Sequence, residues 1–332
     1  MNIVLCYPVE EKHRQKITAA MPEARLIDAG QEHIAEELFN ADIYCGHAKV
    51  PVDWPAVVKQ GGLKWIQSSA AGMDHCLVPS VVESEIVVCS ASGVLSDQVA
   101  EHTIALLTGW CRAMPTFYRA QQRKEYIRRP TRELTRSTVG ILGLGGVGRR
   151  LAGVLSVLKT RILAVDMFPL DKPDCVESLW PPQRLDEMLA VVDFLVLCLP
   201  LNETTRATVD ASFLSKMKPG AVLANMARGQ LVVHDALIDA LSSGHLAGAV
   251  LDVADPEPLP PGSKLWEMPQ VIITPHVGGQ AAWRIDDMTE LFCRNLGRWR
   301  SGDPLINRLS EKSLGFPIRG EGTPLWGGID AN

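Results

Sequence analysis

The chain has 332 residues, 46% of them hydrophobic and 21% charged, with a formal net charge of -5. That length suggests about two domains at roughly 150 residues each. The acidic balance argues against nucleic acid or an anionic membrane surface as partner, and no apolar run reaches the roughly 20 residues of a membrane helix.

The first apolar run, Asn2 to Tyr7, has no basic lead and reads as a strand rather than a signal peptide. Eight cysteines are scattered with no CxxC pair. Cys6, Cys45, Cys89 and Cys198 sit in strand-like runs, and the set reads as buried reduced thiols of a cytoplasmic protein. No metal site is expected. Further strands are predicted at ADIYCG (41–46), KWIQS (64–68), IVVCS (86–90), TVGILG (138–143), RILAVD (161–166), DFLVLCLP (193–200), AVLANM (221–226), AGAVLDV (247–253) and VIITP (271–275). Runs this dense, without in/out alternation, suit parallel strands covered on both faces. With helical stretches between them they predict a doubly wound α/β fold.

One long helix is predicted to start at Ser96 as its N-cap, with Asp97 and Gln98 in the first turn. Another runs from about Ala282 to Gly302. Between them lies one uninterrupted dinucleotide-type unit, residues 99–287. The second domain is therefore discontinuous, 1–98 and 288–332. The basic run Arg119 to Arg136 reads as a solvated arm, with contact to a second subunit or an anionic substrate as alternatives. The closing GFPIRGEGTPLWGGIDAN is either an ordered arm or a loose tail.

The most informative stretch is TVGILGLGGVGRRLAGVLSVLKTRILAVD. A strand ends at Gly143, and Gly143-Leu144-Gly145-Gly146-Val147-Gly148 fits GxGxxG. A helix follows, with Val147, Leu151, Leu155 and Leu158 at helical spacing, and then a strand ending in Asp166. Gly143 permits the tight turn, Gly145 lets backbone approach a pyrophosphate, and Gly148 lets helix and strand pack closely. The helix start offers free N–H groups to phosphate. Asp166 can accept from a ribose diol and would repel a 2′-phosphate, and Met167 supplies no replacing cation. NAD (NADH) is therefore expected in preference to NADP.

Three strand ends downstream carry polar residues that a buried sheet does not need: Arg228, Asp252 (with Glu257 five positions on) and His276. Ligands of doubly wound sheets bind beyond the carboxyl ends of strands. A histidine can protonate a developing alkoxide, a carboxylate beside it orients the ring, and an arginine fork suits a carboxylate. Asp252 could accept from a nicotinamide carboxamide. Together these residues suit interconversion of a 2-keto and a 2-hydroxy acid. The SAAGMD turn (69–74) carries no cation for a second acidic group, which favours a short or neutral substrate side chain.

LKWIQSSAAGMDH, SASGVLSDQVAEH, GILGLGGVGRRLA, CLPLNETTRATV, MKPGAVLANMARGQLVVHDALIDAL, HLAGAVLDVADPEPLP, LWEMPQVIITPHVGG and NLGRWRSGDPLINR, in this order, resemble the D-isomer-specific 2-hydroxyacid dehydrogenase family, including its glyoxylate/hydroxypyruvate reductases. The resemblance implies a Rossmann NAD domain inserted in a discontinuous flavodoxin-like substrate domain, and a homodimer. It implies that Arg228 binds substrate, that Glu257 partners His276, and that His276 is the acid/base. It also implies that Ala71 and Gly72 donate N–H bonds to the substrate carboxylate, that Asp252 contacts nicotinamide, and that Pro200 lines the adenine pocket. The chain departs from the family pattern at Leu95, at Tyr126 where relatives often have a nearby tryptophan, and beyond Arg308. Two other readings use the same fold: a non-enzymatic NAD-sensing protein, and a formate- or phosphite-type dehydrogenase.

Overall fold

Two all-parallel sheets organise the chain in the computed structural model, which describes residues 1–320 and 324–327. The chain divides into two compact units, Met1–Leu95 with Ala281–Asn332, and Ser96–Gln280.

The first unit holds β1 (Asn2–Cys6), β2 (Arg25–Asp28), β3 (Ile43–Gly46), β4 (Trp65–Ser68) and β5 (Val87–Cys89), in the order β2-β1-β3-β4-β5. This is the flavodoxin-like order, whose direction of winding reverses between β1 and β3. The late segment returns to this unit because its helix, Arg284–Ser301, is strongly two-faced. Leu291, Phe292 and Leu296 are fully buried against Ile3, Leu5 and Trp65. The Trp65 ring lies 5.5 Å from Phe292 and stacks at 5.4 Å on Trp299. Truncating Phe292 to alanine would cost about 3–5 kcal/mol by the usual transfer-plus-cavity sum. Buried Asn295 adds polar specificity: its Nδ2 donates to Gln67 Oε1 at 2.8 Å and to the Ile306 carbonyl at 3.0 Å, and its Oδ1 accepts from Ile306 N at 2.7 Å.

The second unit holds β6 (Thr138–Leu142), β7 (Arg161–Val165), β8 (Ser178–Trp180), β9 (Phe194–Leu197), β10 (Val222–Asn225), β11 (Gly248–Leu251) and β12 (Val271–Ile273). Their order is β12-β11-β10-β9-β6-β7-β8, with the reversal between β6 and β9. Along β9 the side chains alternate between two apolar layers, Leu195 and Leu197 into one and Phe194 and Val196 into the other. Both faces of the sheet are therefore covered, which is why its strands read as continuous apolar runs. The fold is doubly wound α/β twice over, the second unit being of Rossmann type.

The structure adds two strands that apolar density does not announce, β2 and β8. Both are short sheet edges whose residues are exposed or half-buried throughout. Ser96 is the first residue of helix Ser96–Cys111 rather than a working cap, because its buried Oγ has no hydrogen-bond partner among the described residues. Of the closing tail, residues 321–323 and 328–332 lie outside the described residues. The described piece between them is held: Asn307 N donates to the Pro324 carbonyl at 2.8 Å, and Trp326 N donates to Asn307 Oδ1 at 3.0 Å. Among the described residues no helix is long and apolar enough to cross a membrane.

Candidate active site

The glycine-rich turn follows β6. Gly143 has φ +99°, and a Cβ there would sit 2.8 Å from the Cys198 carbonyl oxygen. A Cβ on Gly148 would fall 2.2 Å from the Gly143 oxygen, so only glycine lets the helix start press on the turn. A Cβ on Gly145 would meet nothing within 4 Å. That glycine is thus not required by packing, and its bareness leaves open space beside the N-terminus of the helix Gly146–Val157, where Gly146 and Val147 form the first turn. A phosphate fits that kind of space.

Asp166 directly follows β7. Its Oδ2 accepts from Leu144 N at 2.7 Å and its Oδ1 from Phe168 N at 2.9 Å. The carboxylate is thereby fixed against the turn, and each oxygen keeps acceptor capacity for a diol. Arg149 lies on the other side of the same residue. Its Nε donates to the Leu144 carbonyl at 3.0 Å, and its guanidinium grips Asp171 at 2.9–3.0 Å. Pro200 follows β9, and its carbonyl accepts from Thr205 Oγ1 at 2.7 Å.

The chemistry-bearing side chains cluster at the carboxyl ends of β10, β11 and β12, which are successive neighbours. His276 follows β12 with φ +54°, a left-handed conformation uncommon outside glycine and asparagine. Three groups hold that turn. His276 N donates to the Asp252 carbonyl at 2.7 Å. Asp252 Oδ1 accepts from Thr274 Oγ1 at 2.7 Å and from Val277 N at 3.0 Å, and its Oδ2 accepts from Gly278 N at 2.8 Å. His102, from helix Ser96–Cys111, closes the network with Nε2 at 2.9 Å from Thr274 Oγ1 and 3.2 Å from Asp252 Oδ1. Asp252 is 4% exposed, so its charge is stabilised by these donors rather than by water.

His276 Nδ1 and Glu257 Oε2 are 2.9 Å apart, and Glu257 Oε1 accepts from Ala254 N at 3.1 Å. Glu257 is therefore oriented by the backbone and in turn orients the ring. Both side chains are more than a third exposed, so the pair contributes geometry more than stability. Arg228 follows β10. Its loop is shaped by Asn225, whose Nδ2 donates to the Arg228 carbonyl at 2.9 Å and whose Oδ1 accepts from Ala227 N at 3.1 Å. A Cβ on Gly229 would lie 1.9 Å from the Ala254 oxygen. That close approach sets the Arg228 loop against the loop that carries Glu257.

The structure thus brings His276 to Glu257, and Asp252 to the His276 turn, and sets the glycines beside Asp166. Ala71 and Gly72 belong to the first unit, in the turn after β4. Their N–H groups donate to no acceptor among the described residues, while Ala70 N is already bound to Ser68 Oγ at 3.0 Å. Sequence reading passes over His102 and Thr274 as site residues. His102 meets Thr274 across 172 positions, and no local pattern announces such a pair.

The NAD-binding-domain model of the D-isomer specific 2-hydroxyacid dehydrogenases matches residues 104–278. An uncharacterized protein of Corynebacterium melassecola is 35% identical over 293 residues, 86% of this chain and 93% of that one. A glyoxylate reductase of Thermofilum pendens is 34% identical over 245 residues, 70% of this chain and 71% of that one. A solved D-isomer specific 2-hydroxyacid dehydrogenase from Xanthobacter autotrophicus, in complex with NADPH and MES, superposes with a TM-score of 0.80 at 28% identity, over 94% of this chain and 98% of that one. The chain belongs to the D-isomer-specific 2-hydroxyacid dehydrogenase family, and is an oxidoreductase with an NAD(P)-binding Rossmann domain.

Proposed function

We propose that the protein interconverts 2-keto acids and D-2-hydroxy acids with NAD(H) as cofactor. The observation that carries this reading is the 2.9 Å contact between His276 Nδ1 and Glu257 Oε2. It leaves Nε2 as the ring nitrogen available to a substrate oxygen. A bound nicotinamide dinucleotide supplies or accepts the hydride. Its pyrophosphate would lie on the turn Gly143, Gly145, Gly146, Val147 and Gly148, its ribose diol on Asp166, and its adenine near Pro200.

His276 delivers the proton to the alkoxide that forms at the keto carbon, and takes it back in the oxidative direction. Glu257 fixes the orientation of the ring. Arg228 offers its fork to the substrate carboxylate and polarises the neighbouring carbonyl. Ala71 and Gly72 donate their N–H groups to the carboxylate. Asp252 keeps acceptor capacity on Oδ2 for the nicotinamide amide, but its principal work is positioning the His276 turn.

The preference for NADH over NADPH rests on Asp166, whose fixed carboxylate opposes a 2′-phosphate. The solved relative that carries NADPH makes both cofactors necessary in the test. The eight cysteines are all free thiols, which supports a reducing, cytoplasmic setting, and the family resemblance supports a homodimer, which sedimentation would check. The test of the reaction is loss of NADH or NADPH absorbance with a panel of 2-keto acids, followed by chiral analysis of the product. D-2-hydroxy acid formed faster with NADH is the expected result. Cofactor binding without turnover of any keto acid would favour a sensor, and NADH formation from formate or phosphite alone would favour the dehydrogenase alternative.

A further inference from the structure

A cavity of about 480 Å³ opens inside the first unit at the carboxyl ends of β1, β2, β3 and β4. It includes the crevice between β1 and β3, the point where the sheet reverses its winding, which is where open α/β sheets bind ligands. Cys6, Asp28, His47, Lys49, Ser69 and Arg284 are among its lining residues. Ser69 begins the turn that carries the free N–H groups of Ala71 and Gly72, so the cavity adjoins that turn.

Its charge is one-sided. Asp28, the one carboxylate lining it among the described residues, lies 3.2 Å from Arg14 Nη1, a guanidinium that also pairs with Glu11 at 3.1 Å, so two cations on the lining, Lys49 and Arg284, face one partly paired carboxylate. Neither Lys49 nor Arg284 has a side-chain hydrogen bond or ion pair among the described residues. Arg284 is the first residue of an 18-residue helix, where a cation opposes the helix dipole. Asp286 in the same turn is occupied by Lys12 at 2.7 Å and His13 at 2.8 Å. The loop bearing Lys49 is held in place. Gln31 Oε1 accepts from Lys49 N at 2.7 Å, while Gln31 Nε2 donates to the His47 carbonyl at 2.9 Å and lies 3.2 Å from Cys6 Sγ. His47 is stacked on His75 with ring centroids 3.9 Å apart. Exposed Lys49 and half-buried Arg284 thus line one cavity of ligand size with no ion pair among the described residues, on a pinned loop and an unfavourable helix position, an arrangement that suits an anion.

We infer that this cavity takes a second anionic group, so that the substrate is a 2-keto acid with a distal carboxylate or phosphate recognised by Lys49 and Arg284. This rests on the 2-keto acid reading above and is an alternative to the expectation of a short or neutral substrate side chain. The SAAGMD turn does lack a cation, but the loop after β3 and the helix Arg284–Ser301 supply two on the adjoining cavity.

The experiment compares kcat/KM for 2-oxoglutarate and for 3-phosphohydroxypyruvate with that for 2-oxopentanoate, which lacks a second charge. The dianionic substrate is expected to lead by at least about tenfold, as charge-assisted hydrogen bonds require. Whichever of the two dianionic acids is preferred identifies the distal group. The ratio should fall toward one in Lys49→Gln and in Arg284→Gln. A preference for 2-oxopentanoate, or a ratio that neither substitution changes, overturns the assignment. If no keto acid is reduced, the reaction reading fails, and the cavity is judged by binding alone. In that arm 2-oxoglutarate and inorganic phosphate are tested for raising the Tm of the full chain. A rise with either anion in the unmodified protein that is reduced in both variants supports the anion site. An equal rise in all three proteins, or none in the unmodified one, refutes it.

Discussion

Replacing Asp252 by alanine tests whether this residue holds the His276 turn. The carboxylate is 4% exposed and accepts from Val277 N, Gly278 N and Thr274 Oγ1 at 2.7–3.0 Å. The threonine hydroxyl can rotate to another acceptor, but the two N–H groups cannot. Each buried donor left without a partner costs about 1–3 kcal/mol. The expected loss is therefore about 3–5 kcal/mol, a large part of the roughly 5–15 kcal/mol that holds a typical protein. Asp252→Asn retains one carbonyl acceptor and should lose about half as much. Urea unfolding gives the total, and hydrogen exchange read by mass spectrometry on the segment 274–280 localises it. At 1.4 kcal/mol per factor of ten, a loss of 3 kcal/mol accelerates exchange there roughly a hundredfold if that segment opens by global unfolding. A change under about 1 kcal/mol with unaltered exchange in that segment would refute the positioning role.

Other substitutions separate binding from folding and orientation from cofactor affinity. Gly145→Val should weaken NADH binding at least about tenfold with little effect on stability, because a Cβ there meets open space, whereas Gly148→Ala should destabilise the fold, because its Cβ meets the Gly143 oxygen at 2.2 Å; NADH titration and urea unfolding read the two effects. Glu257→Gln should lower kcat by about a hundredfold while NADH affinity is unchanged, measured by stopped-flow and by nucleotide fluorescence. Asp42 is held below the ordinary carboxylate value by its hydrogen bond from Lys64 and further by Asn2 N. A lowered carboxylate stabilises the fold above its unfolded pKa and loses that contribution as pH falls through the folded value. Asp42→Asn should therefore trail the parent protein at pH about 6 and close the gap near pH about 3 in thermal melts; a constant gap would count against the bond.

Much of the architecture was legible because parallel strands covered on both faces leave dense apolar runs. Ten of the structure's strands stand where such runs occur, and the two that do not, β2 and β8, are sheet edges with no fully buried residue. An edge strand needs no continuous hydrophobic face, so its sequence looks like a loop. Of the candidate site, the glycine spacing and Asp166 were legible because close backbone approach restricts residue type locally. The contact of Glu257 with His276 was reachable by placing both beyond strand ends, and the family resemblance implied it as well. The network through His102 and Thr274 was hidden, since hydrogen bonds between distant segments impose no spacing. Lys49 and Arg284 stand 235 positions apart, and only the fold places both on one cavity.

The proposed role of His276, oriented by Glu257, as the proton carrier in reduction of a 2-keto acid is open to direct test. The most direct measurement is a single-turnover reaction of pre-formed enzyme–NADH complex with 2-keto acid, comparing the parent protein with His276→Ala. Unchanged NADH affinity and a loss of at least about a hundredfold in the rate of NADH consumption are expected. A variant that consumes NADH at close to the parent rate would contradict that role.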